Sequence, residues 1–139
     1  MPELLIPADP EVAAIVELNA AFPETRFAGV AVGTKLPTAD PKPPQFVRVT
    51  TAGGGERDLV TDRPMLVLDG FAVREQDARD LTALALGILQ RAGRAGELGG
   101  VPCYGVAVGG LPANLPHSAV PTHFRFTATA SADLRRTTV

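Results

Sequence analysis

The chain has 139 residues, 45% of them hydrophobic and 20% charged, and a formal charge of −2. That is the size and balance of one globular domain with one core, and the lack of a basic excess argues against a protein that grips nucleic acid through its phosphates. A single cysteine, Cys103, excludes an intrachain disulfide and a cysteine-pair metal site. The opening Met1 to Pro7 has only three consecutive apolar residues and no basic stretch, so it reads as neither a signal peptide nor a membrane span.

In chain order, the first element is a helix. Asp9 can cap it, Pro10 suits its first turn, and Glu11 favours the positive end of the helix dipole. Val12, Ile15, Val16 and Ala20 recur at helical spacing and predict one buried face. Phe22-Pro23 ends the helix, because a residue before proline avoids the α region. Phe27 to Val32 reads as a short strand. Gly33 to Gln45 carries Pro37, Pro41, Pro43 and Pro44, which excludes a helix or a central strand and predicts a long ordered loop or arm.

β-branched residues make Phe46 to Thr51 a strand. Gly53-Gly54-Gly55 predicts a turn with Arg57 to Thr61 returning as the partner strand, and Asp62-Arg63-Pro64 predicts a second break. Met65 to Val73 is apolar on both faces, the pattern of a central strand covered on at least part of both sides. Glu75 to about Ala92 is the second helix, with a broad stripe of Ala78, Leu81, Leu84, Ala85, Ile88, Leu89 and Ala92. Glu75 and Arg79 form an i,i+4 pair, and Gly93 and Gly96 mark the end.

Cys103 to Val108 is a short strand closed by Gly109-Gly110. Thr122 to Ser131 alternates, with Phe124, Phe126, Ala128 and Ala130 on one face and His123, Arg125, Thr127 and Thr129 on the other, as a half-exposed strand does. Residues from about 132 to 139 read as a frayed or partner-bound tail. The order predicts a single α+β domain over residues 1–139: a mostly antiparallel or mixed sheet, two α-helices packed on it, and long Pro- and Gly-rich loops.

No set of residues reads as an active site. The glycine run lacks a following helix and a Gly-Lys-Ser/Thr, so it does not read as a phosphate cradle. Cys103 sits in an apolar strand, where a buried, inert thiol is the usual outcome. His117 and His123 have no carboxylate or cysteine beside them, and His123 reads as solvated or at an interface. Asp62-Arg63 and Asp69 read as turn-stabilising charges. Arg135-Arg136 is too short for a nucleic-acid patch. The expectation is a non-enzymatic protein with no catalytic residue, cofactor or metal. The rival from another class is a small ligand-binding or enzymatic domain with a pocket beside Asp62, Arg63 and Cys103.

Pro44 to Val49, the Gly-rich segment after it, and Asp58 to Leu66 resemble tail terminator proteins of long-tailed, siphovirus-like actinobacterial phages. Gly99 to Tyr104, Gly109 to Pro116 and the strand Thr122 to Ala130 are similar in the same order, so the resemblance covers most of the chain from Pro44 onward. It implies a structural virion protein at the head–tail junction, assembled in the host bacterial cytoplasm. Its expected partners are itself as a hexameric ring, the major tail tube protein and the head–tail connector. DNA only passes through the lumen, without sequence-specific binding, and no membrane is involved. A head–tail stopper or other neck ring is the alternative within the particle. The candidate contacts between subunits or with the tube are Leu36, Pro37, Arg48, Arg57, Arg63, Arg135 and Arg136.

Overall fold

The computed structural model describes Glu3 to Thr138. Helix α1 (Pro10–Ala21) begins where expected: the Asp9 carboxylate accepts from the amides of Glu11 and Val12 at 3.0 and 3.2 Å, satisfying two donors that helix geometry leaves orphaned. A short 3-10 turn at Phe22–Glu24 follows it. Helix α2 (Glu75–Ala95) buries Ala78, Leu81, Ala85, Ile88, Leu89 and Ala92 and is capped by Gly96. Each fully buried leucine or isoleucine contributes roughly 1.5–3 kcal/mol. Gly93 lies inside α2 instead of ending it; a Cβ there would stand 2.7 Å from the Val106 amide, so its absence lets the helix press onto a strand.

The strands are β1 (Leu5–Ile6), β2 (Ala31–Gly33), β3 (Gln45–Glu56), β4 (Thr61–Ala72), β5 (Glu97–Leu98), β6 (Val101–Asn114), β7 (Phe124–Arg135) and β8 (Thr137–Thr138). The main sheet has the order β2-β3-β4-β7-β6-β5, parallel only between β2 and β3; β1 and β8 form a separate antiparallel pair. The fold is α+β, with two helices packed on a mixed, mostly antiparallel sheet.

The cross-strand register assigns the faces. Val47 and Val49 of β3, Leu66 and Leu68 of β4, and Ala128, Ala130, Ala132 and Leu134 of β7 join both helices in one core. Small alanines on β7 make room for the large side chains of α2. The opposite face carries Arg48, Thr50, Val67, Asp69, Phe71, Arg125, Thr127 and Thr129. At one end of that face Phe46 and Phe71 stack at 4.6 Å and are covered by Val120 and Leu36. β4 is therefore central and covered on parts of both faces, as its apolar run predicts.

Several stretches depart from the sequence expectation. β3 runs straight through Gly53-Gly54-Gly55, and the turn falls at Arg57 to Val60. The glycines instead form a bulge, with the register shifting between Thr51 and Gly54 opposite Pro64. A strand proline has no amide to give the ladder and is tolerated where the ladder is already broken. Gly54 has φ 110°, and a Cβ on it would overlap the Arg63 carbonyl and the Pro64 backbone. Asp62-Arg63-Pro64 is thus inside β4, not a break. Phe27 to Gly29 is turn, and the strand there is only Ala31–Gly33.

Gly109-Gly110 does not close β6, which continues to Asn114 with irregular pairing to β7. The C-terminal segment is ordered as far as Thr138: β7 runs to Arg135 with Ala132 and Leu134 buried, and β8 pairs with β1. Val139 lies outside the described residues. The apolar residues of α1 go right round the helix, so spacing alone chose the wrong face. Ala13, Ala14, Leu18 and Ala21 are buried, Ile15 is partly buried, and Val12 and Val16 stay about half exposed. Small side chains suit the inner face, because the Ala13 carbonyl lies directly against Gly99. Glu75 does not bond Arg79; it accepts from Asn114, and Arg79 reaches Asp80 at 3.4 Å.

Candidate functional site

The charged residues singled out from sequence form two intrachain networks. The first lies mid-sheet, where register sets Arg48 of β3 and Thr127 of β7 on either side of Asp69 of β4. The buried Asp69 carboxylate accepts from Arg48 Nε and Nη2 at 3.1 and 2.9 Å and from the Thr127 hydroxyl at 2.7 Å. Arg125 stands 3.8 Å away on its other oxygen and also donates to the Leu115 carbonyl. Both carboxylate oxygens are thus occupied by donors of the same chain. Asp69 is not a turn residue: it ties three strands together.

The second network is at the end of the sheet where β3 turns into β4. Arg63 donates to Asp133 at 2.7 Å, and Arg57 lies 3.5 Å from the same residue and 5.9 Å from the Tyr104 ring. Arg136 bonds Asp62 at 2.8 Å and Glu56 at 3.0 Å. Arg135 reaches the Tyr104 hydroxyl at 3.4 Å. Hydrogen bonding to Asp133, Tyr104 and Asp62 pushes the guanidinium pKa values of Arg63, Arg135 and Arg136 respectively up, holding all three charged. Asp62 and Arg63 are adjacent in sequence, but each pairs with a different residue of the C-terminal region.

The Pro-rich loop folds back on its own chain. Leu36 packs against Phe46, Phe71 and Val120, and Lys42 donates to the Pro37 carbonyl at 3.0 Å. His123 precedes β7 and is buried, not solvated. Its Nε2 donates to the Pro43 carbonyl and its Nδ1 is hydrogen-bonded with the Thr122 hydroxyl, each at 2.8 Å, so it pins this loop to the loop before β7. His117 stays with the amide of Ala119 and the Phe71 ring.

Cys103 is buried, and burial pushes its thiol pKa up, which disfavours the nucleophilic thiolate. Asp62, Arg63 and Cys103 do not line one pocket. Asp62 borders a cleft of about 260 Å³ beside Pro7, Pro10 and the β3 glycines. Arg63 borders another beside Gly105 and Ser131, and Cys103 lines neither. Among the described residues no three His, Cys, Asp or Glu side chains are grouped to hold a metal, and no helix is long and apolar enough to cross a membrane.

No protein-family model matches the chain, and no curated protein is significantly similar to it.

What remains open on this molecule is backbone and apolar surface. β6 is fourteen residues long, yet β5 covers only Val101 and Pro102 on its outer side. From Val101 to Asn114 it carries no charged side chain, and Tyr104, Val108 and Leu111 are exposed, Leu111 to 74%. On the opposite margin β2 covers only Phe46 to Arg48 of β3, and Val49 to Gly55 again has no charge. Edge strands are normally guarded by charge, proline, a bulge or a covering element; β6 has Pro102, Pro112 and three register shifts but no charge, and little of it is covered. The signal in the sequence was the long charge-free run of β6, which its glycines obscured by reading as a strand end.

Proposed function

We propose that the protein is a structural, non-enzymatic virion component: a tail terminator whose ring caps the head-proximal end of the tail tube, stops its polymerisation and joins the tail to the head connector. The observation that carries the assembling part is β6, a long, charge-free edge strand with most of its outer margin unpaired. Such an edge pairs readily with another chain, so an ordered partner is the physical alternative to aggregation. The resemblance from Pro44 onward supplies the place of the ring. The saturated charges support a role without chemistry, since Asp69, Asp133 and Asp62 are all engaged by arginines. A formal charge of −2 suits a channel past which DNA slides without sticking.

In this reading the partners are copies of the same chain, six by the resemblance, together with the major tail tube protein and the head–tail connector. A tube built from one heterologous interface keeps presenting a fresh end. A ring with one face that mimics the tube subunit and one that does not ends that growth. The test is removal of the gene followed by imaging of the lysate. Overlong or variable tails unjoined to heads are expected. Tails of normal length that are detached or leak DNA would overturn the terminator and point to the stopper.

A further inference from the structure

We propose that copies of this chain join head to tail by continuing the sheet: the outer margin of β6 in one copy pairs antiparallel with the outer margin of β3 in the next. The inference rests on the ring reading above and specifies its joint.

Three observations choose this partner for β6. The first is height along the sheet. Glu56 pairs with Asp62, Asp62 with Leu134 and Leu134 with Cys103; likewise Thr50 pairs with Val67, Val67 with Thr129 and Thr129 with Gly110. The stretch Thr50 to Glu56 on one margin is therefore level with Cys103 to Gly110 on the other. Along these margins β2 stops at Arg48 and Glu11 takes the Thr51 amide, while β5 stops at Pro102 and the Gly96 carbonyl takes the Cys103 amide, so the open stretches are Ala52 to Glu56 and Tyr104 to Gly110. A copy placed alongside in the same orientation meets free margin with free margin, and no shift along the strands is needed. Ala113 and Asn114 come level with Arg48 and Val47, which β2 covers, so β6 leaves the shared margin at its register shift between Gly110 and Ala113. Pro112, which cannot donate to a ladder, falls in that stretch outside the joint.

The second is direction. β3, β4, β7 and β6 alternate along the sheet, so β6 of one copy runs antiparallel to β3 of a like-oriented neighbour. A twofold pairing of β6 with β6 would shield one margin and leave β3 open. One head-to-tail contact shields both and is the kind that closes into a ring.

The third is what lies beside the joint. The Glu11 carboxylate accepts from the Thr51 amide at 2.8 Å, occupying the place of a strand carbonyl on this margin. Pairing then runs through Ala52 to Gly55 against Tyr104 to Ala107, since the Cys103 amide is already held by the Gly96 carbonyl. Just past it Leu111 comes level with the end of β2, where a groove of about 140 Å³ is lined by Ala31, Val32, Gly33, Lys35 and Pro37. Leu111, nearly free in the monomer, fills that groove in the neighbour. This gives Pro37 a contact between subunits, while Leu36 stays in its own core.

Disulfide trapping tests the joint. In a Cys103→Ala background, Gly55→Cys and Tyr104→Cys place two thiols level with each other on opposite margins; Tyr104 is exposed and a Cβ at Gly55 meets nothing within 4 Å. Mild oxidation of the purified double variant should give a ladder of covalent multimers on a non-reducing gel, ending at the ring size, whereas each single variant stops at dimer. Rings seen by negative stain without a ladder would overturn the strand pairing and leave the ring standing. Protein that stays monomeric by light scattering at every concentration would overturn the ring and the pairing with it. A second variant, Ala107→Lys, places a charge on an exposed margin position. It should abolish rings while the circular dichroism spectrum and Tm remain those of the parent; rings unchanged by it would also overturn the joint.

Discussion

Asp69 shows how much one side chain organises. It is 2% exposed and accepts from Arg48 and Thr127, with Arg125 beside it. Burying a carboxylate is tolerable only when its lone pairs are filled. Asp69→Ala would leave two largely buried guanidinium groups without their acceptor. Removing one partner of a buried pair costs about 3–5 kcal/mol, and the lower end applies because Arg48 keeps some contact with solvent. The urea midpoint should fall accordingly, with Asp69→Asn intermediate. A loss below about 1 kcal/mol, the range of exposed ion pairs, would mean that solvent already screens the network. The sequence offered Asp69 as a charge beside Gly70 and so as a turn residue. Its true role needed Arg48, Arg125 and Thr127, which lie 21, 56 and 58 positions away and which only the strand register brings together.

At the level of elements, helices were the most legible. The Asp9 cap, Pro10 and the stripe of α2 each act within a few residues, and local chemistry suffices. Strands with glycine and proline were misread, since these residues serve turns and bulges alike. The bulge reading makes a sharp distinction between neighbours. Gly54→Ala forces a side chain onto the Arg63–Pro64 backbone at φ 110°, whereas Gly55→Ala points into open space. Thermal melts should show Gly54→Ala destabilised by about 1–3 kcal/mol, the usual range for backbone strain, and Gly55→Ala nearly unchanged. Equal and small effects would return Gly53-Gly54-Gly55 to the hairpin-turn reading. The inner face of α1 was illegible for another reason: a helix apolar on every side has no moment, and the choice of face is made by what it packs on.

For the whole molecule, the two chain ends meet. β1 pairs with β8, Arg136 bonds both Asp62 and Glu56, and its amide reaches the Val60 carbonyl at 2.7 Å. The segment expected to fray therefore clamps the β3–β4 hairpin. Truncation after Arg135 removes these bonds and unpairs β1. A cost of about 1 kcal/mol or more is expected, which for a domain of this size lowers Tm by roughly 3 °C. A truncated chain that melts with the parent would restore the frayed-tail reading.

Composition and local pattern by themselves determined the class of this protein. One domain, two amphipathic or capped helices, β-branched strands and a proline-rich loop are encoded over short distances, where propensity and periodicity act. Only the tertiary structure decided which charges are consumed within the chain, which face of α1 is inward, and which sheet margins remain open. Those depend on pairings between residues far apart in sequence, as when Glu56, Asp62, Leu134 and Cys103 come level across four strands. No local pattern carries that register, because it is fixed by burying one common core beneath both helices.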